Sequence, residues 1–156
     1  MKADDIPVVA FSVGEEELSG LDTTNLVGHL AAWNYFQSAE SDLNTNFIKA
    51  WKSKMGDKRV TNDPMEAHGI GFEMYVKAVE KAGTTDVDAV RKAMYGMKVP
   101  NLTGGTAEML PNHHLSKPVL IGEILENGQF DIISQTKAVS YTHLRAHETP
   151  EHRVCR

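Results

Sequence analysis

The run "IPVVAFSV", residues 6–13, most constrains what this chain can fold into. It is nearly continuous in apolar and β-branched residues and is bounded by Asp5 and Gly14. A strand with one solvent-exposed face alternates apolar and polar side chains, whereas a continuous apolar run is typical of a strand that is buried on both faces. We therefore predict an interior strand of an α/β sheet. Such a strand needs neighbours to cover it, so we also expect part of the complete protein to precede it.

Two helices are predicted after a second strand at residues 26–36, "LVGHLAAWNYF". The first helix begins at Ser41 and ends at Gly56 because apolar side chains recur at four-residue steps. These side chains are Leu43, Phe47, Trp51 and Met55. In "NDPME" we assign Asp63 as the cap of the second helix, with Pro64 at its first position and Glu66 completing a capping box.

The sequence that follows these two helices predicts one more helix and then further strands. The helix runs from Thr85, assigned as its cap, to a stop at Gly96. Asn127-Gly128 is the strongest short signal for a hairpin, and it joins the last two strands. The predicted strands are residues 103–109, 117–126 and 129–134. The order of strands, helices and hairpin indicates an α/β fold.

Charge and hydropathy exclude several classes of function. The chain has 16 Lys plus Arg against 21 Asp plus Glu, for a formal net charge of −5. An acidic chain with scattered basic residues argues against nucleic-acid binding and against binding to an anionic membrane surface. No apolar stretch is long enough to span a bilayer. Because "KADD" follows Met1 without an apolar segment, we expect either a cytosolic protein or a sequence whose true beginning lies upstream.

The last 18 residues differ in composition from the rest. His143, His147, His152 and Cys155 are of the types that bind zinc, but they lie in no zinc-site frame, and Pro150 would interrupt a helix carrying them. "VSYTHLRAHET" resembles the translation of a sequencing adapter. We therefore interpret residues 139–156 as a non-native tail and predict no metal site.

Candidate ligand-binding side chains follow the first strand. "SVGEEEL" places Ser12, Glu15, Glu16 and Glu17 at a carboxyl strand end, where open α/β sheets bind ligands. The plainer alternative is that the glutamates stabilise a short helix and face water. At the start of the later helix, Asp63 can cap and still contact a ligand.

Four aromatic or imidazole residues complete the candidates. Trp33 and Tyr35 are typical of a core, although their rings could also line a small pocket. His113 and His114 lie in a loop, where they could act as a base or as metal ligands, but no partner cluster accompanies them. No nucleophile elbow, phosphate loop or dinucleotide fingerprint is present.

Four stretches together carry a family resemblance: "IPVVAFSVGEEELSGLDTTNLVGHLAAWNYF", "GDKRVTNDPMEA", "AVEKAGTTDVDAVRKAM" and "NHHLSKPVLIGEI". They resemble the C-terminal part of urea-type substrate-binding proteins of ABC transporters, from about Asp5 to Lys137. The resemblance implies a fragment of the type I periplasmic-binding-protein fold, two α/β lobes joined by crossover strands. Residues 1–138 would then supply parts of both lobes, with a crossover near residues 33–36.

The resemblance also implies a mechanism without catalysis. Such proteins capture a small polar ligand in the cleft between lobes, present it to the permease subunits of the transporter, and are exported. Urea presents N–H donors that a carboxylate can accept in parallel. The ligand-binding residues expected on this basis are Ser12, Glu15 or Glu16, Tyr35 as a wall, and Asp63. No catalytic residue, cofactor or metal is expected.

Three alternatives stay open at this point. A cytosolic regulator could use the same fold to sense an amide or an amino acid. A metal hydrolase could use His113, His114 and Asp63. Finally, the chain could be an inactive fragment whose unpaired strand edges and exposed apolar faces lead to aggregation.

Overall fold

The computed structural model describes residues 2–137, which form two β-sheets and four helices. The tail, including the four residues considered above as zinc ligands, lies outside the described residues. The helices are α1 (Glu15–Leu18), α2 (Asp42–Met55), α3 (Asp63–Ala82) and α4 (Val87–Met94). The strands are β1 (Val9–Ala10), β2 (Leu30–Trp33), β3 (Lys98–Pro100), β4 (Thr106–Met109), β5 (Leu115–Ser116), β6 (Leu120–Ile124) and β7 (Phe130–Gln135).

The first sheet has the strand order β1-β2-β6-β7. β1 runs parallel to β2, and the other neighbours are antiparallel. The predicted hairpin is confirmed: β6 and β7 are joined by a turn in which Gly128 has a φ of 73°. A bulge between Ile121 and Gly122 lets Phe130 lie over the glycine, where an added Cβ would be 2.9 Å from its ring.

The second sheet has the order β3-β4-β5 and is antiparallel throughout. Helix α3 packs against β3 and α4. The sequence predicts the strand that becomes β4, but not β3 or β5. Strands of two or three residues carry too little alternation to be seen in a sequence.

Each sheet has its own hydrophobic core. Phe36 and Phe130 stack in the core of the first sheet, with ring centroids 4.4 Å apart. The other buried members of this core are Leu18, Ala31, Ala39, Leu120 and Ile124. The core of the second sheet consists of Ile70, Met74, Val99, Ala107 and Met109. The described part of the chain therefore contains two separately packed units.

Two segments connect the sheets. Residues 34–41, named here the outgoing crossing, follow β2 and lead to α2. Residues 117–119, the return crossing, lead from β5 back to β6. The two crossings touch, since the side-chain amide of Asn34 donates to the carbonyl of Pro118 at 2.8 Å.

Two predicted helix caps are wrong by one residue. Asn62 caps α3 and accepts from the backbone N–H of Met65 at 3.0 Å, so that Asp63 is the first helical residue. Asp86 rather than Thr85 caps α4, accepting from Ala89 at 3.0 Å. In each case two adjacent residues are good caps, and spacing alone does not choose between them.

The prediction that residues 6–13 form an interior strand is also wrong for the described residues. β1 has two residues and pairs only with β2, at the edge of the first sheet. Apolar side chains along this run are exposed to solvent: Ile6, Val8, Val9 and Phe11. The sequence pattern indicates a strand suited to burial on both faces. Among the described residues, however, β1 has a neighbouring strand on one side only.

This exposed edge leads to a prediction about self-association. Phe11 is 78 % exposed, so Phe11→Ser should change the free energy of unfolding by less than about 0.5 kcal/mol. It should nevertheless reduce aggregation, because it removes the largest exposed apolar side chain beside an open strand edge. Light scattering during concentration measures this effect. Leu43→Ser is the matched control, because Leu43 is 48 % exposed but lies on α2. Equal scattering from both variants would contradict a role for the edge.

Candidate ligand-binding site

The candidate site lies at the carboxyl end of the parallel pair β1 and β2. Because the strands are parallel, the residues that follow β1 and the outgoing crossing that follows β2 emerge at the same sheet edge. Gly14 packs against Trp33, and a Cβ there would be 3.6 Å from the indole ring. The loop after β1 is thus seated directly on the end of β2.

The three adjacent glutamates of α1 have three different environments. Glu15 is buried and Glu16 is half-buried, whereas Glu17 is exposed. Glu17 reaches back to accept from the backbone N–H of Gly14 at 2.8 Å, which fixes the start of α1. Glu16 forms a 3.6 Å ion pair with the exposed side chain of Arg59. Of the three carboxylates, Glu16 is partly accessible and is held only by a surface pair.

Glu15 points inward and joins α1 to the outgoing crossing. Its Oε1 accepts from both the backbone N–H and the hydroxyl of Ser38, each at 2.9 Å. The same hydroxyl accepts from the backbone N–H of Phe130 at 3.0 Å. Glu15 Oε2 is buried without a hydrogen-bond partner of ordinary geometry among residues 2–137. Burial raises the pKa of Glu15, although hydrogen bonds from Gln37 and Ser38 oppose the shift.

Glu15 also lines a small pocket. This pocket has a volume of about 290 Å³ and lies between α1 and the turn of the β6–β7 hairpin. Its other polar lining includes Ser19, Thr23, Glu126 and Asn127. The polar lining can accept and donate hydrogen bonds, and the volume lies at the lower end of the range for ligand pockets, which suits a small ligand.

Tyr35 lies in the outgoing crossing and is fully buried. Its hydroxyl is 2.7 Å from Asn44 Oδ1 and 2.7 Å from Thr61 Oγ1. Burial raises the pKa of Tyr35, and the nearby carboxylates of Glu15 and Glu66 act in the same direction. The hydroxyl is therefore committed to contacts within the chain, and any contact with a ligand would involve the ring.

The remaining predicted residues lie on either side of this crossing. Ser12 is exposed in the loop after β1. Asp63 is half-buried at the start of α3, near the backbone of Asn34, and its Oδ1 is buried without a hydrogen-bond partner among residues 2–137. Burial raises the pKa of Asp63, and the charge of Lys117 opposes the shift. Glu15, Tyr35 and Asp63 thus all contact the outgoing crossing or belong to it, whereas Ser12 and Glu16 lie on the accessible side of the loop.

Comparison with known proteins identifies the family of this chain. The sequence profile of the periplasmic binding protein domain matches residues 1–146. The chain belongs to this family.

Solved structures show that this periplasmic binding protein domain has the type I fold. An amino acid ABC transporter substrate-binding protein from Pseudomonas fluorescens matches with a TM-score of 0.72 and 20 % identity, over 88 % of this chain and 39 % of that one. A solute-binding protein of an ABC transporter from Rhodopseudomonas palustris, in complex with 3,4-dihydroxybenzoic acid, matches with a TM-score of 0.70 and 21 % identity, over 81 % and 35 %. The chain thus spans little more than a third of the length of these proteins.

One curated relative has a name of a different kind. A protein named limonene hydroxylase, from Geobacillus stearothermophilus, is 31 % identical over 106 residues, which are 68 % of this chain and 19 % of that protein. The match covers a small part of that protein, so its name says nothing about chemistry in this domain.

The described part of the domain does not assemble the hydrolase considered above. His113 Nε2 is 3.0 Å from the hydroxyl of Tyr95, whereas Asp63 lies beside Asn34 and Lys117. No group of three or more His, Cys, Asp or Glu side chains within residues 2–137 is arranged to hold a metal ion. Nor does any helix in this range have the length and apolar character required to cross a membrane.

Several residues that build the site were missed by the sequence analysis. Ser38, Asn44 and Thr61 hold Glu15 and Tyr35 in place, yet each lies 9 to 26 residues from its partner. Glu66 was interpreted as a capping-box residue, but its carboxylate pairs with the buried ammonium of Lys117. A polar residue within an amphipathic helix is the signal that could have indicated a buried partner, although not which one.

Proposed function

We propose that this chain is part of the substrate-binding component of an ABC importer. In this proposal, the protein captures urea or a similarly small amide in a cleft between two lobes and delivers it to a membrane permease. Membership of the periplasmic binding protein family supports the general role. The similar folds of solute-binding proteins named for ABC transporters support it further. We infer an exported, periplasmic location on the same grounds.

We further infer that residues 1–138 contribute to both lobes. The two sheets have separate cores, and two crossings connect them. This is the arrangement expected where a chain passes between lobes and returns. A cleft between lobes closes by rotation about such connecting segments.

The observation that carries the proposal is the acidic loop seated at the carboxyl end of β1 and β2, next to the outgoing crossing. Urea carries four N–H donors around one carbonyl, and one carboxylate can accept two of them in parallel. We assign this role to Glu16, because it is accessible and its pair with Arg59 is weak.

The other predicted residues take supporting roles in the proposal. Glu15 holds α1 in position through Ser38, and its own Oε1 is already used. Ser12 is close enough in sequence to add a hydroxyl from the same loop. Tyr35 supplies a ring as a wall, and Asp63 supplies a second carboxylate from the start of α3.

Calorimetric titration of a protein that contains this sequence and both lobes tests the proposal. Urea and acetamide should each give saturable binding, whereas 3,4-dihydroxybenzoic acid should not. A carboxylate-bearing ligand would meet the negative charge of α1, which disfavours it. Saturable binding of 3,4-dihydroxybenzoic acid without binding of urea would contradict the ligand assignment while leaving the transport role intact.

A further inference from the structure

Lys117 is a buried lysine in the return crossing. Its side chain is 6 % exposed, and its ammonium pairs with the carboxylate of Glu66, whose side chain is 0 % exposed. Glu66 belongs to the first turns of α3, and α3 packs on the second sheet. The ion pair therefore joins a helix of the second unit to the segment that leads back into the first sheet.

A second carboxylate belongs to the same junction. Asp63 lies three residues before Glu66, on the same face of α3, and both are influenced by the charge of Lys117. Asp63 lies near the backbone of Asn34, whose side chain donates to the carbonyl of Pro118. The start of α3, the outgoing crossing and the return crossing thus meet at one point.

The charges at this junction do not balance. The ammonium of Lys117 pairs with Glu66 and its charge also acts on Asp63, while the nearby Glu15 and the neutral hydroxyl of Tyr35 supply no positive charge. Burial is the larger influence on both acids of α3 and raises the pKa of each, while Lys117 acts in the opposite direction. Surplus negative charge in a buried site is relieved by taking up a proton.

We propose that Lys117 is the positioning residue of the junction between the two units, and that its ammonium holds Glu66, and with it the start of α3, against the two crossings. Without it, α3 keeps two buried acids that lack a counter-ion, and they must bind an additional proton to remain buried. The strength of the connection then depends on pH, in a way that packing of the lysine stem alone would not produce. This inference does not require the proposed ligand.

Thermal unfolding of the full chain and of Lys117→Met at pH 7.5 and pH 5.0 tests this inference. At pH 7.5 the variant should lose roughly 10 °C in Tm, because a buried charge is left without its partner. At pH 5.0 the loss should be less than half as large, because the folded variant binds about one more proton than the wild type. Lys98→Met is the matched control, because Lys98 pairs with Glu108 at the surface, and its Tm should change by less than about 2 °C at either pH.

The double variant Glu66→Gln with Lys117→Met separates the ion pair from packing. The decrease in Tm of the double variant at pH 7.5 should be smaller than the sum of the decreases for the two single variants. The reason is that Glu66→Gln removes the charge that Lys117→Met leaves unpaired. A loss for Lys117→Met that is equal at both pH values, together with additive single losses, would overturn the proposal. If Lys117→Met does not fold at pH 7.5, a cooperative unfolding transition of this variant at pH 5.0 supports the proposal. If Lys117→Met folds at neither pH while Glu66→Gln folds, the proposal is overturned.

Discussion

Replacing Glu15 by Ala should lower the free energy of unfolding by about 2–4 kcal/mol, whereas replacing it by Gln should change it by less than about 1 kcal/mol. The alanine variant leaves both the backbone N–H and the hydroxyl of Ser38 without their acceptor in a largely buried position. Glutamine keeps an oxygen in that place. It also places an uncharged group where Glu15 Oε2 is buried without a partner among residues 2–137.

The pH dependence of the Gln variant follows from the raised pKa of Glu15. A carboxyl group whose pKa is higher in the folded state contributes stability that is fully present below its unfolded value of 4.5 and is lost as the pH rises through the folded value. Glutamine does not titrate. The stability of Glu15→Gln relative to the wild type should therefore increase as the pH is raised from 4.5 towards 8.

Urea or guanidinium denaturation followed by circular dichroism measures both effects; guanidinium is preferred because urea is the proposed ligand. Ser38→Ala serves for comparison, because it keeps the backbone N–H but removes a hydroxyl that donates to Glu15 and accepts from Phe130, and it should cost about 1–3 kcal/mol. If Glu15→Gln is as destabilising as Glu15→Ala at pH 7.5, the carboxylate is ionised in the folded state and the interpretation of its burial is wrong.

The fold was predictable from the sequence where local signals are strong. Asn127-Gly128 lies in the turn between β6 and β7, and the four-residue apolar spacing predicted α2, which begins at Asp42 and ends at Met55. Adjacent capping residues were not separable by pattern, which explains the one-residue errors at α3 and α4. The position of β1 at the sheet edge was not predictable, because an apolar run specifies suitability for burial and not the presence of neighbours.

The candidate site was predictable only in its location. The loop after the first strand was identified because carboxyl strand ends bind ligands in α/β folds. Which of three successive glutamates faces inward depends on Ser38 and Arg59, both brought to α1 by the fold. The same holds for Lys117 and Glu66, which are 51 residues apart in the chain. Contacts of this range leave no spacing signature for a single sequence to show.

Replacing Glu16 by Gln should weaken urea binding by about 10- to 100-fold, the cost of losing a hydrogen-bond acceptor that carries charge. Glu16 is free to act in this way because its ion pair with Arg59 is a surface contact of 3.6 Å and can be given up at little cost. Glu17→Gln is the matched control: it removes the same charge from the neighbouring position while keeping an oxygen for the N–H of Gly14.

Calorimetric titration with urea of these two variants and the wild type, in a protein that includes both lobes, tests the central claim most directly. The proposal that α1 binds the amide N–H groups predicts a large loss of affinity for Glu16→Gln and nearly unchanged affinity for Glu17→Gln. Equal affinity for urea in the wild type and Glu16→Gln would contradict it.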